Sequence, residues 1–170
     1  YTMRKHTLEY DDVMNKQREE IYSFRNEVLH IENSLSLARE ILESICIQMC
    51  HQFFSSRNTE GGWNPEGYTK WLHTHFPLTF DPKEFDNDYL QLEDIEQLAT
   101  KKTLQSFEQK IEHESQKIQQ TQSLFTSADL DSAEKVLCQV VRRLLIRIID
   151  RLWQEHLLHI DHLRSEVHLR

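Results

Sequence analysis

Glycine and proline are scarce in this sequence, three of each in 170 residues. With so few breakers, and with Glu, Gln, Lys, Leu and Ile plentiful, the chain is predicted to be helical nearly throughout. The scarcity of glycine also excludes chemistry. A phosphate-binding loop of the form GxxxxGK[ST] needs glycines that let backbone amides approach the phosphates, followed by a lysine. No glycine here is followed by a suitable lysine; a nucleophilic triad is left open by the sequence, but few Gly-rich turns remain from which to build its oxyanion hole. The three cysteines are odd in number and form no CxxC, which points to a reducing compartment without a disulfide framework; Cys46 and Cys50, one helical turn apart, read as small apolar packing groups.

Long apolar runs are missing too. Arg142, Arg143, Arg147, Asp150 and Arg151 interrupt the most hydrophobic stretch, so no segment approaches the ~18 residues of a spanning helix. There is no secretory signal and no Met at position 1, and the sequence reads as a piece of something longer. Positive charge is in deficit: 20 Lys and Arg stand against 28 Asp and Glu, a net charge of -8 that argues against a phosphate-binding surface and against nucleic acid as a partner.

What is present is helical periodicity. The stretch from Asp131 to Arg170 contains neither Gly nor Pro and reads as one strut of roughly 60 Å. Leu145, Ile149, Leu152, His156, Ile160, Leu163 and Val167 fall in three- and four-residue steps that close after eleven residues, predicting a nearly straight stripe. Asp131 and Glu134 have the spacing of a capping box for its start, and Thr126, Ser127 and Asp129 suggest a loop before it. Met3 to about Glu32 forms another helix, with a stripe of Tyr10, Val13, Met14, Ile21, Phe24, Val28 and Ile31. Its charged faces, with Asp11, Asp12, Arg18 and Glu19, are either solvated or a docking surface for another domain. Arg142, Arg143, Arg147 and Arg151 either pair with acidic residues of this first helix, which is the expectation, or grip an acidic partner outside the chain.

Between these helices, Asn33 and Ser34 suggest the cap of a helix from Leu35 to about Phe54, with a stripe of Ala38, Ile41, Leu42, Ile45, Met49 and Phe53. Ser55 to Gly67 holds all three glycines and reads as a turn or loop. Asn64 and Pro65 open a short helix carrying Tyr68, Trp71 and Leu72. Phe76 to Asp88 is irregular, with Pro77 and Pro82 among Phe76, Leu78, Phe80 and Phe85, rings suited to a small core, and with acidic residues at Asp81, Glu84, Asp86 and Asp88. Leu92 to about Gln120 is helical again. The sequence thus predicts an all-α fold in which the first and last helices form a long antiparallel hairpin and a smaller helical unit is inserted between its arms: residues 1–33, 34–127 and 128–170.

Ten histidines raise the question of metal. His156, His159 and His162 step around the helix at intervals of three, Glu155-His156 with His159 is not HExxH, and His73 and His75 diverge within a short helix. Packed or solvated histidines are the expectation, and a metal-dependent enzyme would need stoichiometric metal.

Two stretches carry a family resemblance. Arg4-Lys5-His6-Thr7-Leu8-Glu9-Tyr10-Asp11-Asp12-Val13, continuing through Gln17-Arg18, Ile21-Tyr22 and Arg25-Asn26-Glu27, resembles the start of the long scaffold helix of the SecA family, the ATP-driven motors of bacterial preprotein export. Asp150-Arg151-Leu152-Trp153-Gln154-Glu155-His156-Leu157, with Asp161, Leu163-Arg164 and His168-Leu169-Arg170, resembles that family's second scaffold segment. Ser165-Glu166 departs from the Gln-Gly expected there, and the intervening wing carries no motif.

The resemblance implies a helical scaffold, a helical wing and the first helix of a two-helix finger. It implies that the scaffold docks the nucleotide-binding and preprotein cross-linking domains of a parent motor, with contacts expected at Tyr10, Asp11, Asp12, Arg18, Trp153, His156, Arg164 and His168. In the family the finger enters the SecY channel, meets unfolded preprotein and restrains ATP hydrolysis. The parent would be an ATPase, cytoplasmic and peripheral on the inner membrane face, whose ATP and Mg bind elsewhere; for this portion no catalytic residue, cofactor or metal is expected, and homodimerisation is a further possibility. The rival from another class is a self-standing helical adaptor whose apolar stripes bind a partner helix.

Overall fold

The computed structural model describes residues 2–55, 62–85, 89–123 and 131–168, and side chains between residues 10 and 165 within those segments. The fold is all-α, with five α-helices: α1 Thr2–His30, α2 Ser34–Phe53, α3 Pro65–His75, α4 Leu92–Gln122 and α5 Ala133–His168. Thr126, Ser127 and Asp129, and likewise Asp86 and Asp88, lie outside the described residues. Two compact units are formed. One joins Tyr1–Ser34 with Cys138–Arg170; the other is Leu35–Leu137, so the first turn of α5 belongs to the inserted unit rather than to the helix pair.

The inserted unit is built on aromatic packing. Its core comprises Cys50, Phe54, Tyr68, Leu72, Phe80, Phe85, Ile95 and Ala99. Tyr68 is at the centre: fully buried, it meets Phe54 and Phe85 edge-on at 5.4 Å each and stacks on Trp71 at 6.0 Å. Its hydroxyl donates to the Cys46 carbonyl at 3.1 Å, so the polar tip is satisfied where water is excluded. Burial raises the Tyr68 phenol above its ordinary range and pushes the Cys50 thiol up to about 12. Both groups are therefore neutral packing elements.

Local chemistry explains how the chain reaches this core. Asn64 caps α3, its Oδ1 accepting the Gly67 N–H at 2.8 Å, with Pro65 in the first turn where no amide is needed. Position 67 has to be glycine for this cap, because a Cβ there would lie 2.6 Å from the Asn64 side chain. The stretch expected to be irregular contains a short 3₁₀ turn, Pro82–Glu84, reciprocally capped by Asp81 and Glu84. It brings Phe80 and Phe85 inward, and Lys102 lies 4.7 Å over the Phe80 ring while pairing with Glu84.

Three expectations are corrected. Ile41 is exposed, because the deepest row of α2 runs through Cys46 and Cys50 to Phe54 just past its end, rotated from the stripe expected. Ser34, offered with Asn33 as the cap before a helix starting at Leu35, is itself the first residue of α2 and donates its hydroxyl to the Cys138 carbonyl at 2.6 Å. At the start of α5 the cap is Ser132, whose Oγ accepts the Lys135 N–H at 3.3 Å; the Asp131 carboxylate is drawn away by the Lys135 ammonium.

Candidate docking surface on the helix pair

In the first unit α1 and α5 run antiparallel, as a ladder of polar contacts shows. Tyr10 Oη reaches the Ile160 carbonyl at 3.5 Å, the Gln17 amide oxygen meets His156 Nε2 at 2.9 Å, and Arg25 holds Asp150 with two hydrogen bonds of 2.7 and 3.2 Å. Arg142 donates to the Ile31 carbonyl, and Ser34 to that of Cys138. As residue numbers rise along α1 they fall along α5.

These contacts correct the phase of the seam. On α5 the covered positions include Arg142, Ile146, Ile149, Trp153, His156 and Ile160, in alternating steps of four and three. Of the expected stripe Leu145, Ile149, His156 and Ile160 are covered, but Trp153 rather than Leu152 continues the row, which makes it a seven-residue repeat, the seam of a paired helix, in place of the eleven-residue one. Leu152 and Leu163 are 53% and 61% exposed. On α1, Tyr10, Met14, Gln17, Ile21, Arg25 and Val28 are covered in the same rhythm, as is Ile31 just past its end, and Val13 and Phe24 are exposed. The expected pairing of α5 arginines with acidic residues of α1 is also corrected. Arg142 takes a backbone carbonyl and Arg151 approaches Glu155 of its own helix, whereas the ion pair between the helices runs the other way, from Arg25 to Asp150. Arg25 keeps the Asp150 carboxyl below its ordinary range, through hydrogen bonding first and charge second.

Trp153 stands between two grooves. One, of about 420 Å³, is lined by Gln17, Glu20, Ile21, Phe24, Ile149, Leu152, Trp153 and His156. The other, of about 500 Å³, lies along Tyr22, Arg25, Asn26, Leu29, Asp150, Trp153 and Gln154. The indole stacks on His156 at 5.5 Å, and His156 is held in turn by Gln17. A rigid aromatic plate with a mainly apolar groove on one side and a polar one, carrying Arg25, Asn26, Asp150 and Gln154, on the other is the kind of anchor on which helices of another domain seat.

The sequence-predicted contact residues divide into three groups. Trp153 and His156 meet at the grooves. Tyr10 and Arg164 meet farther along, the guanidinium 5.8 Å from the ring centroid. Asp11, Asp12 and Arg18 are exposed and join neither cluster, and the His168 side chain lies outside the described residues. Sequence reasoning missed Gln17, Arg25 and Asp150 as partners. Their signal was a polar residue at a seam position of α1 or α5, visible once the repeat is taken as seven.

Among the described residues no group of His, Cys, Asp and Glu is placed to hold a metal ion. His73 accepts the Phe80 N–H and His75 contacts the Trp71 carbonyl, each at 2.8 Å. No helix among the described residues is long and apolar enough to cross a membrane.

Comparison with known proteins places these features in a family. The model of the SecA wing and scaffold domain matches residues 1–170. Among curated relatives, the protein translocase subunit SecA of Chlamydia pneumoniae is 38% identical over 174 residues, that of Chlamydia felis 36% over 171, and that of Chlamydia caviae 35% over 171. Each alignment takes in the whole of this chain and 17% of the relative, so the chain spans about a sixth of their length. A seven-residue seam between antiparallel helices, an inserted aromatic unit and a match over the full chain lead to one assignment: the chain belongs to the SecA wing and scaffold domain family.

Proposed function

We propose that this chain is the scaffold and wing portion of an ATP-driven motor of protein export, with the helix pair as scaffold and residues 35–137 as wing. In this reading it performs no catalysis. It links nucleotide-binding and preprotein-binding domains, restrains ATP hydrolysis and couples it to movement of an unfolded preprotein through the SecY channel. Nucleotide and magnesium are left to other parts of the parent, which works in the cytoplasm and peripherally on the inner membrane face. The observation that carries the reading is Trp153 between two open grooves of the helix pair, with His156 and Asp150 already engaged by Gln17 and Arg25 of the facing helix. The match along the whole chain argues against the adaptor reading, which required the resemblance to mislead.

The test is ATP hydrolysis by the matching motor core lacking this segment, with the chain titrated in. Saturable suppression is expected, and Trp153→Ala should raise the concentration needed by about tenfold or more, as for an interface anchor, with a smaller loss of folding stability. Unchanged hydrolysis together with no complex in a binding assay would reject the scaffold role. Equal loss of folding and docking would reject Trp153 as the anchor.

A further inference from the structure

The outer face of α5 carries a pattern that the helix pair does not use. Val140, Leu144, Ile148 and Leu152 recur at every fourth residue and are 44, 48, 47 and 53% exposed. Arg143, Arg147 and Arg151 each precede a member of this row and are exposed as well. Among the described residues Arg143 and Arg147 meet no carboxylate, and Arg151 reaches only Glu155 of its own helix, at 3.6 Å. An apolar row therefore runs beside a row of positive charge in which, among the described residues, only Arg151 approaches a carboxylate.

The geometry of the row decides what fits it. Residues four apart advance about 40° around a helix, so the row winds through about 120° while rising about 18 Å. A flat lipid surface touches a straight stripe and would meet only part of such a row. Another helix is suited to it, because ridges of this i±4 type interlock when two helices cross at about 50°. Charge then selects among helices: the local row of arginines favours Asp and Glu on the partner, facing the ridge, although the chain as a whole is acidic.

We propose that this face of α5 docks an acidic amphipathic helix of a protein partner, its apolar ridge seated against Leu144 and Ile148 and its carboxylates on Arg143 and Arg147. The site is centred on Leu144 and Ile148, borders the groove beside Trp153 only at Leu152, and does not depend on the scaffold reading.

The test uses the 170-residue chain and a fluorescent synthetic helix with leucine at every fourth position and glutamate beside each, compared with the same helix carrying lysine for glutamate. The acidic helix should bind and the basic one should not, and raising salt from about 0.05 M to about 0.5 M should weaken binding several-fold. Ile148→Ala should weaken it about tenfold. Arg147→Glu should weaken the acidic helix and strengthen the basic one, a gain that unfolding cannot imitate. Equal binding of both helices, or indifference to Arg147→Glu, would overturn the proposal. So would adsorption to phosphatidylglycerol vesicles that Ile148→Ala abolishes, or an Ile148-dependent dimer in sedimentation with no affinity for the acidic helix; these would assign the face to lipid or to a second copy.

Discussion

Replacing Tyr68 separates the contribution of its ring from that of its hydroxyl. Tyr68→Phe deletes one hydrogen bond, to the Cys46 carbonyl. That carbonyl lies inside α2 and still accepts its helical amide, so no acceptor is stranded and the cost should be about 1 kcal/mol. Tyr68→Ala removes the ring from between Phe54, Phe85 and Trp71. An aromatic side chain of this size buries roughly 150–200 Å², which at about 25 cal/mol per Å² amounts to ~4–5 kcal/mol. Partial collapse of the cavity gives an expected loss of about 3–5 kcal/mol. Because domains are stable by only about 5–15 kcal/mol, the alanine variant should sit near the edge of unfolding. Urea denaturation followed by tryptophan emission and by far-UV circular dichroism measures both, since Trp63 and Trp71 border this core. If phenylalanine costs as much as alanine, the hydroxyl and not the ring holds the unit together; if alanine costs under about 1 kcal/mol, the aromatic cluster is not the core.

Other outcomes follow from the caps and the ion pairs. Asn64→Ala should cost about 1 kcal/mol, and Gly67→Ala alone should change little, because gained helix propensity offsets a displaced cap. In an Asn64→Ala background, Gly67→Ala should stabilise by about 1 kcal/mol, and additive effects in a thermal double-mutant cycle would refute the steric account. Asp150, Glu84 and Glu108 are all held below their ordinary range by hydrogen bonds from Arg25, Lys102 and Arg39. Depressed carboxylates contribute stability above their unfolded-state range and lose it as pH falls through the folded one, so the urea midpoint should drop from about pH 6 to about pH 3. The drop should be smaller in high salt and in Asp150→Asn, and a midpoint that rises on acidification would show the sign to be wrong.

How much of this was legible in the sequence depends on what each residue's signal competes with. The helices were readable because only Gly and Pro interrupt them, and the Asn64-Pro65 start because two residues fix it locally. The phase of α5 was not. Leucines, isoleucines and valines cover a broad arc of that helix, so intrahelical spacing alone gives no reason to choose Trp153 over Leu152 for the seam; α1 makes the choice, through Gln17 on His156 and Arg25 on Asp150. For the same reason polar seam residues were overlooked, since Gln17 and Arg25 are partners only when the opposite helix is in place. The start of α5 was misread because Asp131 and Ser132 both suit a cap and Lys135 competes for the carboxylate. The candidate site was half legible: Trp153 and His156 come together, whereas Asp11, Asp12 and Arg18 face solvent.

The ladder between α1 and α5 has a mechanical consequence. Tyr10 with Ile160, Gln17 with His156, and Arg25 with Asp150 are rungs spaced along the pair, and Arg142 and Ser34 close one end of it. A load applied parallel to the helices shears all rungs at once and meets their combined resistance. A load that separates the Tyr10 end peels them one after another, each breaking before the next is stretched. The same bonds thus make a stiff transmission rod in one direction and a zip fastener in the other, and the direction of pull decides which.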